Sequence, residues 1–364
     1  MAIIFVILFF SGLKSAAQQK ADIILQDERV PITPKEFYVA NVIDERDNRT
    51  SVALLLPAVN SQNNQPKPYP VDLHGGTLIA VKQFIDHNLP VNTSLRPVII
   101  SLRKFTVTET ALSGSRAEGH VSLVMSFYLK GEDDSPAEAL HLADYNGSAV
   151  YNRYLGPPQD IEPPLRRVLA NGLIYLNTWI NQQVNTNIKL AKGVTISFTD
   201  FSEKPEGDSI YYSVNRPLTW NDFQSKIANS RYDAEVFPTI GYDEHTEVIN
   251  GIVNIRMAIK VCLPKSACWA KDASRNDYVL NHEQRHFDIA KIAAEHFKQK
   301  LKTETLLADN YDGQINMDYL DAYREMDDLQ KQYDGETRHG SDHSEQQRWN
   351  EKIDKEMKSL GIEH

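Results

Sequence analysis

Apolar positions recur with the period of an α-helix over one long stretch in the last third of the chain. Between Asp277 and Leu301 there is neither proline nor glycine, and Ser274 with Asp277 forms an S-x-x-D capping pattern at its start. One face is built by residues at three-, four- and seven-residue steps: Tyr278, His282, Ile289, Ala293 and Phe297. The pattern predicts a largely buried amphipathic helix over about 277–301.

Strict alternation of apolar and polar residues precedes this helix. Residues 251–261 place every second side chain, from Val253 to Val261, on one apolar face, which predicts a half-buried strand. After the long helix, the spacing predicts two further helices at about 316–333 and 344–360. A turn is predicted between them, over residues 333–340.

The first half of the chain contains both periods. Alternation predicts strands at 97–108, 120–130 and 148–153, and helical spacing predicts helices at 77–88 and after Pro163. These elements predict an α+β fold in which helices pack on an antiparallel sheet. A polar stretch near 186–194 marks a boundary, so we predict one domain at 18–190 and a second at 191–364. The first carries no catalytic signature, which leaves binding, targeting and shielding open as its role.

Composition narrows the classes of partner. The chain has 364 residues and a formal net charge of −10 at pH 7. An acidic protein repels nucleic acid and anionic membrane surfaces, so neither is an expected partner. No internal apolar run is long enough to span a bilayer, and stable membrane insertion is therefore not expected.

The N-terminus is the most apolar part of the chain. Residues 2–10 are an unbroken apolar run, followed by small residues at Ser15 and Ala17. This pattern predicts a signal peptide at 1–17, cleaved before Gln18. The run is too short for a membrane anchor, and no cysteine lies near the cleavage point to carry a lipid. We therefore predict a secreted or periplasmic protein.

The two cysteines of the chain are Cys262 and Cys268. In an exported protein such a closely spaced pair is predicted to form a disulfide that closes a short loop. The alternative interpretation is a second metal site.

The long helix contains the sequence His282-Glu283-Gln284-Arg285-His286, an H-E-x-x-H pattern. Residues four apart lie one turn above each other on one helix face, so the two imidazoles can bind one Zn²⁺ at roughly 2.0–2.1 Å. Glu283 is displaced in angle from the two histidines and is placed to act as a general base toward a water molecule. The pattern thus predicts zinc ligands at His282 and His286, with Glu283 catalytic.

A catalytic zinc site usually has three protein ligands. His296 lies roughly 15 Å along the helix from His286 and cannot join the site. Position 292 is Ile292, which excludes the extended pattern with a third histidine six residues after the second. Three candidates remain open: Glu325 from the next predicted helix, His339 from the turn and His343 beyond it.

Three segments, in order, resemble a bacterial family of unknown function whose members are described as secreted zinc-dependent proteases. The segments are LTWNDF at 218–223, DYVLNHEQRHFDIA at 277–290, and a C-terminal set made of Tyr333-Asp334, Thr337, His339-Gly340, Gln347 and Trp349. The resemblance covers roughly 195–364. It implies a zincin-like metallopeptidase domain and an exported peptidase, with His282, Glu283 and His286 in their expected roles. Together with the need for a third ligand, it favours His339 over Glu325 and His343.

These observations predict an exported zinc-dependent metallopeptidase that hydrolyses peptide or protein substrates. Tyr333 is a candidate hydrogen-bond donor to the developing oxyanion, and the strand at 251–261 is a candidate for binding an extended substrate by strand addition. The alternative is a non-catalytic envelope or binding protein with a structural or relic metal site. The cleavage preference and the oligomeric state stay open.

Overall fold

The computed structural model describes residues 22–58, 67–131, 139–155, 161–201, 207–226 and 229–362. The predicted signal peptide at 1–17 lies outside these residues. Tertiary contacts divide the chain into an N-terminal unit, Met1–Gln182, and a C-terminal unit, Gln183–His364. The predicted domain limits near residue 190 stay predictions. No described helix combines the length and the apolar character that a membrane crossing requires.

The N-terminal unit is an α+β fold. Its elements are β1 (Phe37–Asp44), β2 (Ala53–Leu55), β3 (Tyr69–Val71), α1 (Thr77–Asn88), β4 (Arg96–Leu112), β5 (Arg116–Leu129), β6 (Leu140–Tyr154) and α2 (Glu162–Gln183). The strands form one sheet in the order β3-β2-β4-β5-β6, with β1 also paired to β4. The helix predicted at 77–88 is confirmed, because its apolar positions bury one face.

The prediction of a purely antiparallel sheet is wrong. β4, β5 and β6 pair antiparallel, but β1 and β2 both run parallel to β4. Parallel neighbours need a long crossover connection, and the chain between β2 and β4 includes α1. Residue alternation reports which face of a strand is buried and carries no information on the direction of its neighbour.

The C-terminal unit combines a sheet with three long helices. Its elements are β7 (Gly193–Asp200), β8 (Ser209–Tyr211), β9 (Ala234–Glu235), β10 (Thr239–Ile249), β11 (Ile252–Pro264), β12 (Trp269–Ala270), α3 (Asp277–Thr303), α4 (Tyr311–Thr337) and α5 (His343–Ser359). One sheet has the order β10-β11-β7, with β8 also paired to β11, and β9 pairs with β12.

β11 is the predicted alternating strand, and its apolar face packs into the core against α3. β10 occupies one of its edges, while β7 and β8 occupy the other. A strand paired along both edges has no free backbone groups for an added strand. The hypothesis that this strand binds substrate by strand addition is therefore wrong.

Helix α3 is the centre of the unit. One side, with Phe287 and Phe297, packs on the sheet, and another, with Ile289 and Ile292, packs on α4 and α5. A helix buried on several sides is held by packing more than by its own propensity. Its predicted extent is confirmed, but the N-cap is Asn276, whose side chain accepts a hydrogen bond from the Val279 amide. The predicted Ser274 cap is wrong.

The predicted disulfide is wrong, since Cys262 and Cys268 are both thiols. Alternation along β11 puts Cys262 on the face opposite the core, whereas Cys268 is fully buried within it. The Cys268 thiol donates to the carbonyl of Pro264 at 3.1 Å, and burial raises its pKa to about 11. Cys268 lies beyond the end of β11, and spacing in the sequence cannot show that one cysteine faces away from the core while the other is buried in it.

Protein denatured without reductant is expected to react with two equivalents of a thiol reagent per chain, because the chain has two cysteines and both are thiols. Cys262→Ser should react with one equivalent. A disulfide would instead give no reaction in the wild-type protein and one equivalent in the variant.

His296 joins α3 to the two helices that follow it. Its Nδ1 lies 2.6 Å from Oε1 of Glu325 on α4, and its Nε2 lies 3.1 Å from Oε1 of Glu356 on α5. The Glu325 hydrogen bond raises the pKa of His296 to about 9, against the opposing effect of burial. Glu325 is thus held by His296, which lies about three turns along α3 from His286 and about four from His282, and the structure places it outside the metal-binding group.

His296→Gln should lower the free energy of unfolding by about 1 kcal/mol below pH 6.5, after discounting for solvent exposure. The folded-state pKa is raised, so this stabilisation is fully present below pH 6.5 and is lost as the pH rises through about 9. Urea unfolding across this range measures it, with His245→Gln, exposed on β10, as the control. If the free energies of unfolding of wild type and His296→Gln differ by the same amount at every pH, the stabilisation does not come from protonated His296.

Candidate metal centre

The two histidines of the H-E-x-x-H pattern lie side by side on α3. His282 is 5% exposed and His286 is 8% exposed, and their rings meet edge to face with centroids 5.0 Å apart. Asp334 of α4 faces both rings: its Oδ1 lies 3.3 Å from Nε2 of His282 and 3.1 Å from Nε2 of His286. The ligand atoms of these three residues all lie within 4.8 Å of one another, and together they could hold a metal ion.

Asp334 was not among the predicted ligands. The predicted helix ends at Tyr333, whereas α4 continues through Gly335 to Thr337. The missed signal is the buried stripe of α4, which continues at four-residue spacing from Tyr333 to Thr337. Gln330 and Asp334 have the same spacing, so helical geometry places both beside the stripe and toward α3.

Each histidine ring is oriented by a glutamine. Nδ1 of His282 lies 2.8 Å from Oε1 of Gln346 on α5, and Nδ1 of His286 hydrogen-bonds Oε1 of Gln330 on α4. The amide groups are themselves fixed, because Gln346 donates to the Tyr333 hydroxyl at 2.6 Å and Gln330 donates to the carbonyl of His286 at 2.9 Å. Each Nδ1 therefore carries a proton, and each Nε2 is directed to Asp334, on the side where a metal would bind.

The carboxylate of Asp334 keeps its charge in this site. Burial acts to raise its pKa, but hydrogen bonds from His282 and His286 outweigh burial and hold the pKa well below its usual range. Burial lowers the pKa of His282. Burial acts the same way on His286, but its pKa is raised because the hydrogen bond and charge of Asp334 prevail. The group thus offers two imidazole nitrogens and one charged carboxylate.

Glu283 lies one residue from this group and is 3% exposed. Burial raises the pKa of its carboxyl to about 7, while a hydrogen bond from the Val236 backbone acts against that rise. Among the described residues, Oε2 of Glu283 has no hydrogen-bond partner. A buried acceptor without a partner costs about 1–3 kcal/mol, so the site calls for a proton donor at this oxygen. Two imidazoles, a carboxylate and an orphaned glutamate oxygen fit a zinc ion with an adjacent water.

His339 lies at the edge of the donor group. Arg338, His339 and Gly340 all have left-handed backbones, with φ of 52°, 51° and 73°, which ends α4 and turns the chain back. Nδ1 of His339 lies 3.3 Å from Oδ1 of Asp334, and its ring packs on Tyr232 with centroids 3.9 Å apart. The structure groups Asp334 with the histidine pair and leaves His339 as a neighbour, so its role as a ligand stays a prediction.

Two other predicted site residues take different places. His343 stacks on Tyr278 with ring centroids 4.1 Å apart and lines the cavity without joining the donor group. Tyr333 is fully buried beneath the histidines, and its hydroxyl donates to the carbonyl of His282 at 3.3 Å. Its predicted role as a transition-state stabiliser is wrong, because a side chain enclosed in the core cannot reach a substrate. It supports the backbone of α3 instead.

A cavity of about 740 Å³ opens in front of the donor group. His282, Glu283, His286 and Asp334 line its inner end, and the segment Tyr232–Thr239 forms a wall. This volume lies within the range of roughly 300–1,000 Å³ that is usual for ligand sites. The buried carboxylate of Glu283 and the metal-binding group are thus accessible from one enclosed space.

Comparison with known proteins identifies the C-terminal region. Residues 204–340 match a family described as bacterial protein of unknown function, DUF922. This confirms the resemblance inferred from the motifs. No curated protein matches the chain. Among solved structures, protein XCC0632 from Xanthomonas campestris, of DUF330, is similar over 44% of this chain and 95% of its own, with 8% identity and a TM-score of 0.29. That similarity is too low to support any conclusion.

Gln330→Ala is expected to weaken metal binding by about 10- to 100-fold, because the His286 ring loses the acceptor that fixes its tautomer. Competition with a chromophoric chelator measures the affinity. Gln332→Ala is the matched control, since this glutamine lies on the same helix but hydrogen-bonds only exposed Glu336 among the contacts described. Equal affinities in the two variants would contradict the role assigned to Gln330.

Proposed function

With residues 204–340 belonging to the DUF922 family of bacterial proteins, we propose that this protein is a zinc-dependent peptidase. The proposal includes a zincin-like arrangement of the C-terminal unit and export of the chain, which the apolar run at 2–10 supports. We assign the metal to His282, His286 and Asp334. Of the three predicted candidates for the third position, Glu325 lies elsewhere, and His339 and His343 lie beside the group.

The single observation that carries the proposal is Glu283. A structural metal site has no use for a buried carboxylate that lines a cavity with one oxygen left without a partner. A hydrolytic site does, because a general base must receive a proton from the attacking water.

The chain's own residues divide the work of hydrolysis. Zinc, when bound, would lower the pKa of a water and polarise the scissile carbonyl. Oε2 of Glu283 accepts the proton of the attacking water and delivers it to the leaving amine as the peptide bond breaks. Gln330 and Gln346 keep both imidazoles in the tautomer that presents Nε2 to the cavity. The surrounding helices exclude bulk water, which strengthens each of these electrostatic interactions.

The purified protein is expected to hold one zinc per chain and to cleave an unstructured protein such as casein. Glu283→Gln should keep the metal and lose activity by roughly 10²- to 10⁴-fold, because only the base is removed. Asp334→Ala should lose the metal, whereas His339→Ala should retain it. Zinc content by mass spectrometry and cleavage of the same samples measure these outcomes.

Asp328→Asn is the control for Asp334, since it removes a carboxylate from the same helix outside the donor group. Wild-type protein without zinc, or Glu283→Gln with full activity, would overturn the peptidase proposal. Zinc binding with no cleavage of any substrate by the wild-type protein would favour a non-catalytic metal-binding protein.

A further inference from the structure

The cavity is a groove with α4 along one side and the Tyr232–Thr239 segment along the other. Beside the lining, the Tyr319 hydroxyl of α4 donates to the carbonyl of Ile240, the residue that follows this segment, at 3.1 Å. The lining residues of α4 extend from Asp334, in the donor group, back to Tyr323.

The length of the groove suits an extended peptide. Tyr323 and Asp334, which both line it, are eleven positions apart on α4. At about 1.5 Å per residue the helix covers roughly 16 Å between them. An extended chain advances about 3.3 Å per residue, so this distance holds about five residues.

The charged groups of the lining include five carboxylates: Asp233, Glu235 and Asp327 line it in addition to Glu283 and Asp334, and among the described residues the lining contains no lysine or arginine. Two exposed lysines outside the lining pair with these carboxylates, Lys331 with Asp327 and Lys271 with Asp233, and exposed pairs of this kind are weak. A divalent metal offsets only the two carboxylates of the centre. Trp269 donates one hydrogen bond to Glu235 at 3.1 Å, which orients that carboxylate without neutralising it. A groove of this kind attracts positive charge.

The lining also contains exposed apolar surface. Phe237 of the Tyr232–Thr239 segment is 45% exposed and Tyr323 of α4 is 43% exposed. Large exposed aromatic side chains in the lining of a cavity provide a contact surface for an apolar group. Elsewhere in the lining, the buried carboxylate of Glu283 has an unpartnered oxygen.

We propose that the groove binds an extended peptide segment of about five residues that carries positive charge and places an apolar side chain against the exposed rings of the lining, Phe237 and Tyr323. Charge complementarity and groove length identify this occupant. The inference deepens the proposed peptidase function and rests on it for the statement that the bound peptide is a substrate. Glu235 and Asp327 select the charge, and Phe237 and Tyr323 select the apolar side chain.

Binding is measured separately from cleavage. Fluorescent peptides that combine lysines with a leucine or phenylalanine are titrated into zinc-loaded Glu283→Gln protein, beside peptides in which glutamate replaces lysine. The lysine peptides are expected to bind at least about fivefold more tightly, and added salt should reduce the difference. In the same background, Asp327→Asn should weaken binding of the lysine peptides, while the neighbouring Asp328→Asn, outside the lining, should not.

A second pair of variants tests the role of the exposed aromatic residues. Tyr323→Ala should reduce the preference for a peptide with phenylalanine over one with alanine, whereas Leu320→Ala, equally exposed on α4 but outside the lining, should leave it unchanged. Equal binding of lysine and glutamate peptides, or equal effects within each pair of variants, would overturn the inference. If wild-type protein cleaves nothing but the charge preference in binding remains, the peptidase proposal fails and the groove assignment stands.

Discussion

The structure of the C-terminal unit depends on the burial of α3 together with its polar residues. His282, Glu283, His286 and Asp288 are all buried on this helix. Buried polar groups are costly unless each has a partner. Both α3 and its neighbours supply partners: Asp288, for example, accepts hydrogen bonds from Gln284 on the same helix and from Tyr212. Within the described residues, Glu283 keeps one oxygen without a partner. This exception lies beside the metal-binding group, where a proton donor from a substrate water would complete it.

Helix α4 supplies several of the polar groups that complete the metal-binding group on α3. Gln330, Tyr333 and Asp334 come from a little more than one turn, and they orient a ring, support a backbone carbonyl and supply a carboxylate. A rigid helix keeps these three groups in fixed relation, which is what a metal site needs. The same helix continues past the centre as one wall of the cavity. The position of this single helix therefore sets both the placement of the Asp334 carboxylate and the shape of the cavity.

The metal-binding group and the cavity are built within the C-terminal unit, and this is also the region that matches the bacterial family. The N-terminal unit has its own core, which includes a buried ion pair between Arg153 and Glu109 at 2.7 Å. A chain that forms two separate cores can divide its tasks between them. The proposed chemistry requires only the second unit, which leaves the first available for a different role.

Local periodicity in the sequence determined the helices, the apolar face of β11 and the placing of His282, Glu283 and His286 on one turn of α3. Those features depend on residues three or four positions apart, or on simple alternation, so the sequence contains them directly. The third member of the donor group, Asp334, is separated from His282 by 52 positions and enters only because α4 packs on α3. The same limit explains why the parallel pairing of β1 and β2 and the opposite facing of Cys262 and Cys268 could not be read from spacing. Tertiary packing decided these features, because it alone selects which distant side chains share one buried space.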